Sequence, residues 1–402
     1  MAAIVATKAY RTAPTDALLV IAGLPPIQHV ILSRYIKNLL IKLNTPNNNN
    51  TLTNRAINEL KLPEAIHSIV KDVKEYGIDK MVETDTTHPA AIKSCNIYFN
   101  HLPPTKGVNF YTDGSKTENT VGAAVYLDDP SKRHYWQSVA SLNNHCTINQ
   151  AESLAILHSL KYIKTNIQHF KRTTINILSD SRTALHQLNK GNRQLPIINN
   201  CLQIIGEIGQ VVSINLYWVR GHTGIYGNEK ADALAKKAHT ITSNCSYAAI
   251  SLSVIKNKLN AVIMDKWQKE WDASTTGRLT HQFLPNISKR MTLNFFNINH
   301  AITQLLTAHG NFRAYLYRFL KKGSSTCNCG IEEDEDPYHV IFTCANHRAH
   351  RPPLRDRLQA EGHHWPCTLE ALLHNKKIFS TFKAFVAKLR LADYHRNNTH
   401  MN

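Results

Sequence analysis

The sequence has no long uninterrupted apolar run. Its apolar stretch near the N-terminus, residues 17–24, begins too late for a secretory signal and is ended by Pro25 and Pro26. A membrane-spanning helix needs about 18 or more apolar residues in succession, and no stretch approaches that length. We therefore expect no membrane contact and an intracellular protein, with the nucleus and the cytoplasm both left open.

Cysteine is sparse, and most of it is scattered. The eight cysteines lie at positions 95, 146, 201, 245, 327, 329, 344 and 367, and only Cys327, Cys329 and Cys344 cluster. A small secreted domain held by disulfides has a dense cysteine framework, so this spacing excludes that class and favours a reduced compartment.

Acidic residues are in the minority. The chain has 29 Asp and Glu against 47 Lys and Arg, a formal net charge of +18. Residues 241–402 contribute half of that excess, with 21 basic against 12 acidic residues. Such a balance suits a polyanion such as nucleic acid. Hydrophobic residues make up 43%, which excludes wholesale disorder, and 402 residues allow two or three domains.

The chain divides into three segments by pattern. Residues 1–106 are mostly helical, with helical apolar spacing over 12–43 and a break at the Pro-Asn run 46–50. Residues 107–240 alternate strands and helices. Residues 241–402 form a helical, basic region.

The middle segment predicts an α/β fold. A capping box formed by Thr147 and Gln150 marks the start of its first helix. The predicted strands are 108–111, 121–127, 135–139, 175–178 and 212–218, and the predicted helices are 147–163, 181–188, 197–208 and 228–238, the last capped by Asn228. This order predicts a five-stranded mixed sheet with helices on its faces, in which the fourth strand joins through a right-handed crossover.

Four acidic residues lie at the ends of these elements. Asp113 follows the first strand and Asp180 the fourth, while Glu152 and Asp232 lie in the first turns of the first and last helices. Converging carboxylates repel one another unless cations are bound, and hard oxygen ligands select Mg²⁺ or Mn²⁺. Two such ions about 4 Å apart suit phosphodiester hydrolysis.

Five separated motifs resemble the type 1 ribonuclease H family over about a third of the chain. They are Tyr-Thr-Asp-Gly-Ser (111–115), Gln-Ala-Glu (150–152), Ser-Asp-Ser (179–181), Trp-Val-Arg-Gly-His-Thr-Gly (218–224) and Gly-Asn-Glu-Lys-Ala-Asp (227–232). The resemblance implies a ribonuclease H-like fold and an enzyme that hydrolyses the RNA strand of RNA–DNA hybrids.

The resemblance also implies roles for particular residues. Asp113, Glu152, Asp180 and Asp232 would hold two Mg²⁺ or Mn²⁺ ions, and His222, on a glycine-flanked loop, would assist proton transfer or product release. Further candidate contacts with the hybrid are Gly114, Ser115 and Asn149. The segment 189–196 is short and lacks the basic protrusion of some family members, so we expect the grip on the hybrid to come from elsewhere in the chain.

The whole chain resembles the C-terminal part of a non-LTR retrotransposon polyprotein. Residues 13–18 and 23–26 are similar to the region after a reverse transcriptase palm, and residues 306–310 and 327–330 are similar to the segment after its ribonuclease H. No Tyr-x-Asp-Asp polymerase motif is present. The resemblance implies a polymerase domain upstream, in the same or a related polyprotein, and a chain that is a fragment or a degenerate copy.

The cysteine cluster continues to a histidine. Cys327, Cys329, His339 and Cys344 supply three thiolates and one imidazole, a ligand set for tetrahedral Zn²⁺, with His347 or His350 as substitutes for His339. The competing interpretation is three buried or free cysteines.

Three functions compete. The intact acids and His222 favour an active hybrid-specific nuclease. A nucleic-acid-binding remnant of a retroelement, with its catalysis unused, is the alternative. An integrase-like enzyme on the same fold ranks last, because that class uses three acids and lacks the Gly-His-Thr-Gly loop.

Overall fold

The computed structural model describes residues 1–44, 55, 63–81, 95–129, 134–191, 194–240, 245–321 and 323–389. The break predicted at 46–50, and residues 192 and 193 of the short segment 189–196, lie outside this range. The chain forms two compact units. We call residues 35–259 the sheet unit, and residues 1–34 with 260–402 the helical unit.

The sheet unit is built on one mixed sheet. Its strands are β1 Asn96–Tyr98, β2 Val108–Lys116, β3 Val121–Asp129, β4 His134–Leu142, β5 Thr174–Ser179 and β6 Ser213–Trp218, in the order β1-β6-β5-β2-β3-β4. β2, β3 and β4 form an antiparallel meander, while β1, β6, β5 and β2 run parallel. This arrangement confirms the predicted ribonuclease H-like α/β fold.

Helices cover both faces of this sheet. The described helices that lie wholly within the unit are α4 Glu64–Tyr76, α5 Ile148–Thr165, α6 Arg182–Asn189, α7 Pro196–Ile208 and α8 Tyr226–Lys237. Successive residues of β3 point to opposite faces: Ala123 joins the large core under α5 and α7, and Ala124 packs against Leu234 and Ala235 of α8. The predicted capping box of α5 is present.

The structure differs from the sequence-based expectations at three places. A sixth strand, β1, joins the edge of the sheet beside β6. The sequence did not predict it, because three residues are too few to show a strand pattern. β2 continues through Lys116, since β3 pairs with it along its whole length, so Asp113 lies within the strand and not after it. α8 begins at Tyr226 after the cap residue Ile225, so the predicted capping by Asn228 is wrong; Asn228 is buried inside the helix.

A row of asparagines crosses four parallel strands on one face of the sheet. Nδ2 of Asn96 donates to Oδ1 of Asn215 at 3.3 Å, Nδ2 of Asn215 to Oδ1 of Asn176 at 3.4 Å, and Nδ2 of Asn176 to Oδ1 of Asn109 at 2.9 Å. Each asparagine faces the next in the strand register. The ladder therefore links β1, β6, β5 and β2 through their side chains as well as their backbones.

The helical unit has its own core. Helices that belong to it wholly or in part are α1 Ala2–Thr7, α2 Thr15–Ala22, α3 Ile27–Leu43, α9 Leu252–Ala273, α10 Arg278–Phe283, α11 Ile287–Thr292, α12 His300–Thr307, α13 Arg313–Leu320, α14 Pro352–Ala360 and α15 Lys376–Lys388. The region predicted helical over 12–43 is interrupted at Gly23, which has a left-handed φ of 67° and is followed by Pro25 and Pro26. Buried Trp267, Trp271 and Phe382 lie in the core of the unit.

No single helix among the described residues is long and apolar enough to cross a membrane. Thr15–Ala22 and Ile27–Leu43, bent by 63° at the break between them, pass that test only together and only by length and composition.

Candidate active site and metal centres

Three of the four predicted carboxylates converge in the sheet unit. Asp113 within β2, Glu152 in the second turn of α5 and Asp180 directly after β5 each offer an oxygen, and these oxygens lie within 4.8 Å of one another. We call these three residues the carboxylate triad. Asp113 and Glu152 are buried and Asp180 is half-buried. Such a set of close, hard oxygen ligands is suited to a divalent cation.

Close packing of β2 against α5 brings two of the triad together. A side chain at Gly114 would place its Cβ 2.9 Å from the backbone nitrogen of Glu152 and 3.0 Å from Cβ of Ala151. Glycine at this position therefore lets the strand approach the start of the helix. Asp180 arrives from the neighbouring strand, since Thr112 and Ser179 are register partners in β2 and β5.

The triad is electrostatically strained without a cation. Burial, followed by the charge of Asp180, raises the pKa of Asp113 to about 7 against the stabilising N–H of Gly114. Burial and the charge of Asp113 raise the pKa of Glu152 well above its ordinary value, and burial raises the pKa of Asp180. Oε2 of Glu152 is buried and has no hydrogen-bond partner among the described residues. An unpartnered buried carboxylate oxygen fits a metal ligand, because a bound cation would satisfy it.

Asp232 borders the triad, within hydrogen-bonding reach of Asp113. It is half-buried on α8, and its Oδ2 accepts a hydrogen bond from Nζ of Lys236 at 2.7 Å. Its charge nevertheless contributes to the raised pKa of Asp113, so the two side chains are near each other. The predicted fourth ligand therefore borders the cluster, paired with a lysine one turn along its own helix.

His222 lies in the turn that follows β6, close to Asp180. The imidazole is exposed, the residue has a left-handed φ of 54°, and its charge acts to lower the pKa of Asp180. A Cβ on the preceding Gly221 would lie 2.7 Å from Oδ2 of Asp180. The loop thus passes directly over one ligand of the triad, as its glycines allow.

The weaker candidate contacts have different surroundings. Oγ of Ser115 shares a hydrogen bond with Nε2 of His239 at 3.0 Å. Nδ2 of Asn149 donates to Oε1 of Gln187 at 3.1 Å, and its buried Oδ1 has no partner among the described residues. Their predicted contact with the hybrid stays a prediction.

Sequence reasoning did not identify Trp218 and Arg182 as supports of Asp180. Nε1 of Trp218 donates to the backbone oxygen of Asp180 at 2.9 Å, and the guanidinium of Arg182 lies 4.9 Å from the centre of the Trp218 ring. The alternation along β6 already placed Trp218 near the strand end, but a hydrogen bond to a neighbouring strand is invisible in a strand pattern.

The second predicted metal cluster lies in the helical unit. Ligand atoms of Cys327, Cys329, His339 and Cys344 all lie within 4.8 Å of one another. The two Sγ atoms of Cys327 and Cys344 are 3.7 Å apart, and Sγ of Cys329 is 3.4 Å from Nε2 of His339. The sequence-based substitutes for His339 are outside this group, since neither His347 nor His350 belongs to it.

Neighbouring groups orient these ligands. Nδ1 of His339 contacts Oε2 of Glu333 at 2.6 Å, which leaves Nε2 to face the sulfurs. Burial opposes ionisation of Cys329, yet hydrogen bonds from the backbone N–H groups of Ala345 and Ile331 outweigh it and lower the pKa to about 6. The buried guanidinium of Arg351 donates to the backbone oxygen of Cys344 at 2.6 Å. Burial raises the pKa of Cys327 and Cys344. The three sulfurs and the outward histidine nitrogen form a ligand set suited to Zn²⁺, which binds cysteine as the thiolate.

The fold and the triad together define an α/β domain with a candidate divalent-metal site. Residues 105–240 match the family model described as RNase H. This part of the chain is a domain of the RNase H family. The match spans about a third of the chain, in agreement with the extent of the resemblance.

Curated relatives carry retrotransposon and ribonuclease names. The chain is 30% identical over 149 residues to a retrovirus-related Pol polyprotein from type-1 retrotransposable element R1 of Bradysia coprophila, covering 37% of this chain and 15% of that protein. It is 28% identical over 169 residues to the R1 Pol polyprotein of Popillia japonica, covering 42% of this chain and 66% of that protein.

A third relative is a ribonuclease H of Orientia tsutsugamushi (strain Boryong). It is 28% identical over 156 residues, covering 35% of this chain and 84% of that protein. The chain thus spans two thirds or less of the retrotransposon relatives given above, and most of the ribonuclease H.

Proposed function

We propose that the chain is a metal-dependent endonuclease that hydrolyses the RNA strand of RNA–DNA hybrids during retroelement replication. The observation that carries this proposal is the convergence of Asp113, Glu152 and Asp180, with a buried unpartnered oxygen, inside a domain of the RNase H family. The names of the Pol and ribonuclease H relatives support the substrate and the context.

The residues of the triad fit the divalent ions of this activity. Asp113, Glu152 and Asp180 would hold them, with Asp232 beside Asp113 as the fourth ligand. When bound, two such ions activate the attacking water and stabilise the leaving oxygen. Burial holds the oxygens of Glu152 and Asp113 in place. In the metal-free protein the two carboxylates repel each other there, which destabilises their charged forms.

His222 would move protons or help product leave. It is exposed on a loop whose Gly221 passes over Asp180, so the imidazole can reach solvent and the edge of the site. Histidine changes charge near neutral pH and suits that role.

A polymerase would work upstream of this nuclease. The retrotransposon relatives are Pol polyproteins longer than the region that this chain covers. We infer that the polymerase lies in the same or a related polyprotein. The +18 net charge supports binding of the hybrid by the wider chain.

The experiment is cleavage of an RNA–DNA hybrid with labelled RNA by the full chain in Mg²⁺ or Mn²⁺, beside single RNA and duplex DNA. We expect cutting of the RNA in the hybrid alone. Asp113→Asn removes a charge and keeps the shape. Loss of a residue that only hydrogen-bonds to a metal ligand costs up to about 100-fold, so loss of a ligand itself should reduce cleavage by more than that. A protein that binds the hybrid yet leaves it intact in both metals would instead be the nucleic-acid-binding remnant.

We also propose a structural Zn²⁺ held by Cys327, Cys329, His339 and Cys344. The close ligand atoms, the orientation of His339 by Glu333 and the amide hydrogen bonds to Cys329 support this assignment. Buried or free cysteines without metal remain the competing outcome. Metal content of the purified chain, near one zinc or near none, decides between them.

A further inference from the structure

A buried side-chain network joins the start of α5 to two segments outside the matched region 105–240. Oδ2 of Asp79 accepts a hydrogen bond from Nε2 of Gln150 at 2.8 Å, and Oδ1 accepts one from the hydroxyl of Tyr247 at 2.7 Å. Nε2 of Gln150 also donates to the backbone oxygen of Ala249 at 2.9 Å. Asp79 is 4% and Gln150 3% exposed. We call Asp79, Gln150 and Tyr247 the clasp.

Backbone hydrogen bonds fix the two outer segments. The nitrogen of Asp79 donates to the oxygen of Ile250 at 2.8 Å, and the nitrogen of Ile250 donates to the oxygen of Gly77 at 3.0 Å. The oxygen of Tyr247 accepts from the nitrogen of Asn143 at 2.9 Å, just ahead of α5. Backbone hydrogen bonds therefore join the segment of Asp79 to Ile250, and Tyr247 to the residue Asn143 ahead of α5.

Gln150 connects this network to the helix itself. Its Oε1 accepts the backbone N–H of Thr147 at 2.8 Å in the capping box, while both hydrogens of Nε2 are used by Asp79 and Ala249. Every polar atom of this amide thus has a partner. One rotamer of Gln150 satisfies both the cap and the clasp, so the clasp is tied to the first turn of α5.

Glu152 follows two residues later. Its oxygen contributes to the triad, and its backbone nitrogen lies against Gly114 of β2. A shift of the first turn of α5 would therefore change the distance from Glu152 to Asp113.

We propose that Asp79 and Tyr247 are positioning residues for the metal site, acting through Gln150 on the helix turn that carries Glu152. The working nuclease then includes residues 77–79 and 247–250, outside the region that matches the RNase H family. This inference rests on the proposed function only in its cleavage readout, because metal binding is measured without substrate.

The test uses the full chain and the variants Asp79→Asn and Tyr247→Phe. Asp79→Asn turns one acceptor into a donor that faces the donors of Gln150 and Tyr247, and Tyr247→Phe removes one hydroxyl as a milder change. We expect Mn²⁺ affinity, measured by calorimetry without substrate, to fall about tenfold for Asp79→Asn and less for Tyr247→Phe. Amide hydrogen exchange of residues 148–153 should quicken in the same order.

A matched control is Ser159→Ala, which removes a buried hydrogen bond to Ala155 about two turns after Glu152 on the same helix. It should leave Mn²⁺ affinity unchanged. In cleavage assays the clasp variants should lower the rate at limiting Mn²⁺, recover at high Mn²⁺ and keep the KM for hybrid.

Two results overturn the inference. If both variants lower the melting temperature but bind Mn²⁺ like the parent, the clasp is only structural. If the parent itself binds no Mn²⁺, the metal site and its positioning are both wrong. A parent that binds Mn²⁺ but cuts no hybrid contradicts the proposed function alone, and the calorimetry still decides on the clasp.

Discussion

The carboxylate triad and the cysteine cluster bring candidate metal ligands together in different ways. The triad takes Asp113 from a strand, Glu152 from a helix and Asp180 from the residue after another strand, so its members span residues 113–180, whereas all four cysteine-cluster ligands lie between residues 327 and 344. The triad is assembled by the sheet. The cysteine cluster is assembled by one short stretch of chain.

The difference is also chemical. Burial and mutual repulsion hold the pKa values of Asp113 and Glu152 above their ordinary range, so the triad opposes its own charge until a cation binds. In the cysteine cluster, backbone N–H groups bring the pKa of Cys329 down to about 6, whereas burial raises the pKa of Cys327 and Cys344.

The largest expected effect is on the cysteine cluster. Cys344→Ser should lower bound zinc from about one ion per chain to near zero and lower the melting temperature, because structural zinc contributes folding free energy directly. The control is Cys367→Ser, a free cysteine in the same unit and outside the cluster. Metal analysis and calorimetric melting measure both. Retention of zinc by Cys344→Ser would contradict the assignment and remove one side of the comparison.

An intermediate effect is expected from pH on the triad. Since the pKa of Asp113 is raised to about 7 and that of Glu152 well above its ordinary value, Mn²⁺ must displace protons below pH 7, and its affinity should fall by at least about tenfold per pH unit. Calorimetry at pH 5.5 to 8 measures it. An affinity that does not change with pH would show that Mn²⁺ displaces no proton, and that the pKa values of the triad are not raised.

The free energy of unfolding of the metal-free protein should change with pH in the opposite direction, falling as the pH rises. A carboxyl whose pKa is raised on folding stabilises the fold at pH values below its unfolded pKa, and that contribution is lost as the pH rises through about 7. Urea unfolding in EDTA should therefore give a higher free energy of unfolding at pH 5 than at pH 8. Asp113→Asn should weaken that dependence.

The smallest expected effect comes from the loop over Asp180. Gly221→Ala places a methyl group within 2.7 Å of Oδ2 of Asp180, so the carboxylate must move and Mn²⁺ affinity should fall by up to about tenfold. Gly206→Ala is the matched control, since a Cβ there meets nothing within 4 Å and alanine favours the helix. Equal Mn²⁺ affinities in the two variants would show that Asp180 tolerates displacement.

The sequence predicted the parts of the site that depend on local chemistry. The capping box of Thr147 and Gln150, the strand before Asp180 and the spacing of the cysteine cluster all follow from short-range patterns, and the structure contains each of them. The mixed α/β sheet follows from regular, strongly patterned strands and helices, and its ribonuclease H-like form was implied by the five motifs that resemble that family.

Long-range pairing could not be predicted in this way. The strand β1 and the extension of β2 past Asp113 depend on which strand lies alongside, and a single sequence does not record partners. The clasp is the clearest case, because Asp79 and Tyr247 are separated by 168 positions yet meet through one hydrogen bond.

The asparagine ladder acts as a key for strand alignment. Side chains alternate between faces along a strand, so a slip of β5 by one residue would turn Asn176 into the apolar core and bring Ile175 or Ile177 to face the asparagines. Misaligned sheets thus lose polar bonds and bury an amide at once. The register of β5 against β2 sets Asp180 beside Asp113. The asparagine ladder, by favouring this register, therefore also favours the geometry of the triad.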